Sequence, residues 1–140
     1  MQRREARLHL RAEDLGDLPP FSALVQDFVV RVADIAFDPR GRRLVFLGNR
    51  FCWETGRPRR ARTAIVASSL LLLQRRAWPQ DPQAVLELLA IDGQVNEAGA
   101  TLFFHFAGGP ALKATAECID LLLDDLSPPW PTPRVPGHEP

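Results

Sequence analysis

A chain of 140 residues and 15.6 kDa is the size of one domain around one core, and 46% hydrophobic against 24% charged residues excludes wholesale disorder and fibrous repeats. Seventeen basic and seventeen acidic side chains cancel, so no global field draws the molecule to nucleic acid or anionic lipid. The longest apolar run, Leu70 to Leu73 with small residues before it, is far too short for a bilayer, and no secretory leader is expected. Cys52 and Cys118 lie far apart in apolar surroundings and read as small core residues, so a reduced, cytoplasmic location is expected.

Ala6 to Arg11 alternates, with Leu8 and Leu10 on one face, and reads as a strand. Apolar spacing then turns helical from Leu15 through Phe28. Pro19 and Pro20 interrupt it, so a short helix starts at the prolines with Asp17 as its cap. Phe28 to Phe37 reads as strand with its alternation slipping near Ala33 and Asp34, which a bulge or corner would explain. Asp38 to Arg42 is a turn by composition, and the chain returns as Leu44 to Glu54 with Val45, Leu47, Phe51 and Trp53 on the core face.

Thr55 to Arg62 holds Gly56, Pro58 and four arginines and reads as an exposed loop before a further apolar stretch, Thr63 to Arg75. After the turn cluster Trp78 to Pro82, Val85 to Ile91 reads as strand, although its Leu and Glu also fit a helix. Thr101–Phe106 and Leu112–Ala116 flank Gly108-Gly109 as a hairpin, with Leu102, Phe104 and Phe106 inward. Ile119, Leu122, Leu123 and Leu126 follow helical spacing, predicting an amphipathic helix from Glu117 that Pro128 and Pro129 end. Residues 131–140, rich in proline, read as a disordered tail after a single globular domain over 1–130.

The pattern predicts an α+β, β-dominated fold. It is an antiparallel, strongly bent sheet or partly closed roll, comparable to pleckstrin-homology-like barrels, with a short N-terminal helix and a C-terminal amphipathic helix.

Val25-Gln26-Asp27, Val29-Val30-Arg31-Val32 with Asp34-Ile35-Ala36, Asn49-Arg50-Phe51 with Trp53-Glu54, and Glu117-Cys118-Ile119 with Pro128-Pro129-Trp130 resemble an uncharacterised bacterial family. It is the family labelled domain of unknown function 2948. The likeness runs from Leu8 to Trp130, and Asn-Arg-Phe-x-Trp-Glu is its most distinctive piece. Pro19 and Pro20 depart from it, since related chains look more continuously helical there. The resemblance implies no catalytic residue, cofactor or partner.

Strand alternation puts Arg50 and Glu54 opposite Phe51 and Trp53, where the charges can pair. One reading is a polar patch for a carboxylate or peptide, formed by Arg31, Asp34, Asn49, Arg50, Trp53 and Glu54. The blander reading is a surface ion pair beside a core Trp, which contributes less than about 1 kcal/mol.

Arg57, Arg59, Arg60 and Arg62, with Arg40, Arg42 and Arg43 nearby, are candidates for binding an anion or nucleic acid. Zero net charge and the absence of any tyrosine weigh against it. His9, His105 and His138 lack metal-site spacing, and His105 falls on the outward phase of its strand. Ser68, Ser69 and Gly108-Gly109 lack the surroundings of a nucleophile elbow or phosphate loop. Asp124 and Asp125 point apart on the expected helix.

No catalytic residue, metal or cofactor is expected. The leading reading is a non-catalytic cytosolic interaction module that takes a protein or peptide on a sheet edge or on the face carrying Arg31, Asp34, Arg50 and Glu54. Arginine-mediated nucleic-acid or anion binding is the second reading, and an enzyme whose site is assembled from residues distant in sequence is the third. Open sheet edges also admit a homodimer.

Overall fold

A computed structural model describes residues 7–133 and 135–137. The described residues form eleven strands and one α-helix: β1 His9–Ala12, α1 Leu18–Val25, β2 Val29–Arg31, β3 Ile35–Asp38, β4 Arg43–Phe51, β5 Arg59–Ala67, β6 Leu70–Arg76, β7 Val85–Asn96, β8 Gly99–Phe106, β9 Ala111–Ala116, β10 Leu121–Asp125 and β11 Trp130–Pro131. They form one antiparallel sheet in the order β1-β10-β5-β4-β2-β7-β8-β9-β6, with β3 also on β4 and β11 also on β5. The sheet bends but does not close. The Leu70 N–H donates to the Arg42 carbonyl at 3.0 Å, bringing the start of the last strand back beside the β3–β4 hairpin.

The concave face holds the core, in which Phe46, Phe104 and Phe106 meet with ring centroids 5.3 and 6.3 Å from Phe46. Alternation sets that face in β8, where Leu102, Phe104 and Phe106 are buried as the sequence predicts, and in β9, where Leu112 and Ala114 join them. The Gly108-Gly109 turn joins these strands, both glycines at positive φ. The helix begins at the prolines as expected, and Leu18, Phe21 and Val25 seal one side of the core. The slip near Ala33 is a single 3-10 turn, Val32–Asp34, that lets the chain leave β2 and rejoin the sheet as β3.

Several expectations are corrected. The segment expected as a C-terminal helix is β10, a strand inserted between β1 and β5. Leu121, Leu122 and Leu123 are all apolar, so the segment satisfies both a helical and a strand period, and neighbours on both sides satisfy its backbone as a strand. In β4 the phase is reversed up to Arg50, while Phe51 is buried as expected. Leu44, Phe46, Gly48 and Arg50 turn inward and Val45 and Leu47 outward, because both faces of this strand are apolar and alternation alone does not choose.

The Arg-rich loop ends early, since Arg59, Arg60 and Arg62 already belong to β5. Thr63 to Arg75 is two strands, broken at Ser68-Ser69, where Ser69 takes φ 61°. Cys52 is buried as expected, but Cys118 is exposed.

Strand β11 pairs Trp130 with Arg60 and Pro131 with Arg59. Ala6 of the first expected strand, His138, and positions 134 and 139–140 of the expected tail lie outside the described residues. Among the described residues, no helix is long and apolar enough to cross a membrane.

Candidate interaction surfaces

The residues proposed from sequence separate onto two sides of the sheet. Arg50 points inward and its side chain is fully buried. Its Nε and Nη2 donate to Asp125 Oδ1 and Oδ2 at 2.9 and 2.8 Å, while Nη1 and Nη2 donate to Glu54 Oε1 and Oε2 at 2.8 and 2.7 Å. Asp125 also accepts from Thr63 Oγ1 at 2.7 Å and from the Leu8 N–H at 2.9 Å.

Burial disfavours both charges, but these bonds outweigh it. They hold the Asp125 carboxyl below the usual range and raise the Arg50 guanidinium above its own. Arg50 and Glu54 do pair, the guanidinium buried and the Glu54 carboxylate at the surface, 29% exposed. Their donors and acceptors are occupied by one another.

Trp53 donates from Nε1 to the Gln26 carbonyl at 2.9 Å and sets its ring edge-on to Phe51, centroids 4.5 Å apart. Arg60 lies over the same Phe51 ring, 5.6 Å from its centroid, and Nη1 donates to the Asp27 and Asn49 carbonyls. Burial lowers its pKa, against the attraction of Asp27 and Glu87. The distinctive Asn-Arg-Phe-x-Trp-Glu segment therefore locks β4, β5 and the end of α1 together. Of the four candidate anion-binding arginines, Arg57 is exposed, Arg59 is half-buried beside β11 and Arg60 is committed to the fold.

The remaining candidates meet on the convex side. Arg62, Asn49, Val29 and Glu87 are successive cross-strand partners on β5, β4, β2 and β7. Arg31 pairs with Asp34 at 3.0 Å and donates to Gln83 Oε1 at 3.1 Å at one end of a groove that Arg62, Asn49, Leu47 and Val85 also line. The groove encloses about 350 Å³. Gly48 lets β2 and β4 approach closely beneath it, because a Cβ there would sit 2.2 Å from the Val29 carbonyl oxygen. The side chains of Arg62 and Asn49 have no hydrogen-bond partner among the described residues.

Sequence reasoning missed what adjoins this groove. On the same convex face Leu47 faces Ala64, and Val45 faces Val66, which in turn faces Leu122. A sheet with one wetted face ordinarily alternates to polar side chains there, yet this one is aliphatic across three strands. The signal was available in the unbroken apolar runs of β4 and β5. Asp124, held 3.2 Å from His9, borders the patch on the β1 side.

The comparisons with known proteins agree with the resemblance seen in the sequence. The profile of the family described as "Protein of unknown function (DUF2948)" matches residues 8–138, and the chain belongs to that family. No curated protein and no solved structure matches it.

Proposed function

We propose that this member of a family of unknown function is a non-catalytic interaction module of the cytoplasm. Its docking surface is the convex face of β4, β5 and β10 together with the groove at Arg31, Asp34, Asn49 and Arg62. The observation that carries the reading is the aliphatic patch Val45, Leu47, Ala64, Val66 and Leu122, which ends on two uncommitted donors, Asn49 and Arg62. Desolvating such a patch drives association, while a polar end fixes orientation. The partner is a protein or peptide segment with aliphatic side chains for the patch and a carboxylate for Arg62 and Asn49.

The test is affinity capture from the host lysate at low salt, with and without nuclease, comparing the wild-type chain with Val66→Lys and Arg62→Glu. A nuclease-insensitive protein retained by the wild type and lost by both variants supports the reading. Identical capture by all three chains refutes it, and nucleic acid released by nuclease transfers the function to anion binding.

A further inference from the structure

On another side of the molecule α1 lies along β7. The Ile91 N–H donates to Ser22 Oγ at 2.9 Å, and a Cβ on Gly93 would meet Leu18 Cδ1 at 2.9 Å, so helix and strand are held close. One cleft of about 580 Å³ lies at this contact and a second of about 580 Å³ adjoins it across Leu15, which lines both; together they make up the groove. Its walls are apolar and open. Leu15 is 45% exposed, Leu89 37% and Val95 54%, above the buried Leu18 and Ile91.

The rim has one sign of charge. Glu13, Asp14, Glu97 and Glu117 border one cleft and Asp92 the other, and no Lys or Arg lines either. Three of these carboxylates are already engaged: Asp14 accepts from the Asp17 N–H, Glu117 from Arg42, and Asp92 lies 3.1 Å from His105. Glu13 and Glu97 have no ion pair among the described residues.

We propose that this groove docks a basic amphipathic segment of a partner protein, with aliphatic side chains against Leu15, Leu89 and Val95 and Lys or Arg beside Glu13 and Glu97. Charge complementarity fixes the occupant's class. An acidic rim repels nucleic acid and anionic lipid and favours a cationic peptide. The walls are preformed, so docking need order only the incoming segment. The groove is separate from the convex patch, and the module then has two docking surfaces of different charge preference.

The experiment titrates the full chain into a labelled Leu/Lys amphipathic peptide and into a Leu/Glu peptide of the same apolar pattern, read by fluorescence anisotropy. The Leu/Lys peptide binds, binding weakens with salt, and the Leu/Glu peptide does not bind. Glu13→Lys with Glu97→Lys weakens the complex about tenfold, and so does Val95→Lys alone, whereas Asp81→Lys outside the groove leaves it unchanged. Equal binding of the two peptides overturns the proposal, as does an equal loss with Asp81→Lys. Val66→Lys leaves this binding intact, so failure here and failure of the convex-face reading are told apart.

Discussion

Arg50 and Asp125 stand 75 residues apart in sequence and meet as a two-bonded ion pair with both side chains fully buried. Two charges taken out of water are tolerated only when each satisfies the other, and here each does. Arg50→Leu leaves Asp125 buried against Thr63 without its counter-charge. The expected loss is about 3–5 kcal/mol in urea unfolding at neutral pH. Arg50→Met combined with Asp125→Leu, which removes both charges, is expected to recover much of that loss.

The same pair predicts an acid limb. Burial pushes the Asp125 carboxyl up, but hydrogen bonds from Arg50, the Leu8 N–H and Thr63 hold it below its unfolded value. Over the interval between the two values the unfolded chain binds more protons, so stability rises with pH there. The contribution is complete above the ordinary carboxylate pKa of about 4 and is lost as pH falls through the lower folded value. Urea midpoints measured down this range are expected to fall. In Thr63→Val, which removes one bond to the carboxylate, the folded value rises, so the acid-linked loss is expected to be smaller and to end at higher pH.

Gly48 is required by crowding, not by an unusual φ. A Cβ would come within 2.2 Å of the Val29 carbonyl oxygen and 2.7 Å of Phe28 Cζ. Backbone cannot give way as a flexible side chain can. Gly48→Ala is expected to cost about 2 kcal/mol or more in chemical denaturation and to disturb the groove at Asn49.

The two thiols are expected to separate kinetically. Cys118 is exposed and Cys52 is fully buried. An aromatic disulfide reagent is expected to modify Cys118 promptly in the native protein and Cys52 only on unfolding. Cys118→Ser then leaves no fast-reacting thiol.

What the sequence reveals of this fold is its local chemistry. Gly108-Gly109 announces a hairpin because only that turn needs those glycines, and Pro19-Pro20 announces a helix start because proline fits no later turn. Leu121 to Leu123 misleads because three consecutive leucines satisfy every period, and the deciding contacts come from β1 and β5, far away in the chain. The same distance hides the partner of Arg50: its pairing with Glu54 is visible at a spacing of four, its pairing with Asp125 is not. The convex groove was half visible. The sequence groups Arg31, Asp34 and Asn49, but it reads Arg62 as loop and Val45 and Leu47 as core.

The position of β10 also sets an order of events during synthesis. Strand β1, near the start of the chain, pairs with β10, and Leu8, Arg50 and Thr63 all wait for Asp125. A ribosome that has released the first hundred residues has released a sheet with its first strand unpaired and a buried-type arginine without its aspartate. Such a nascent chain offers unpaired edges to its neighbours until translation passes β10.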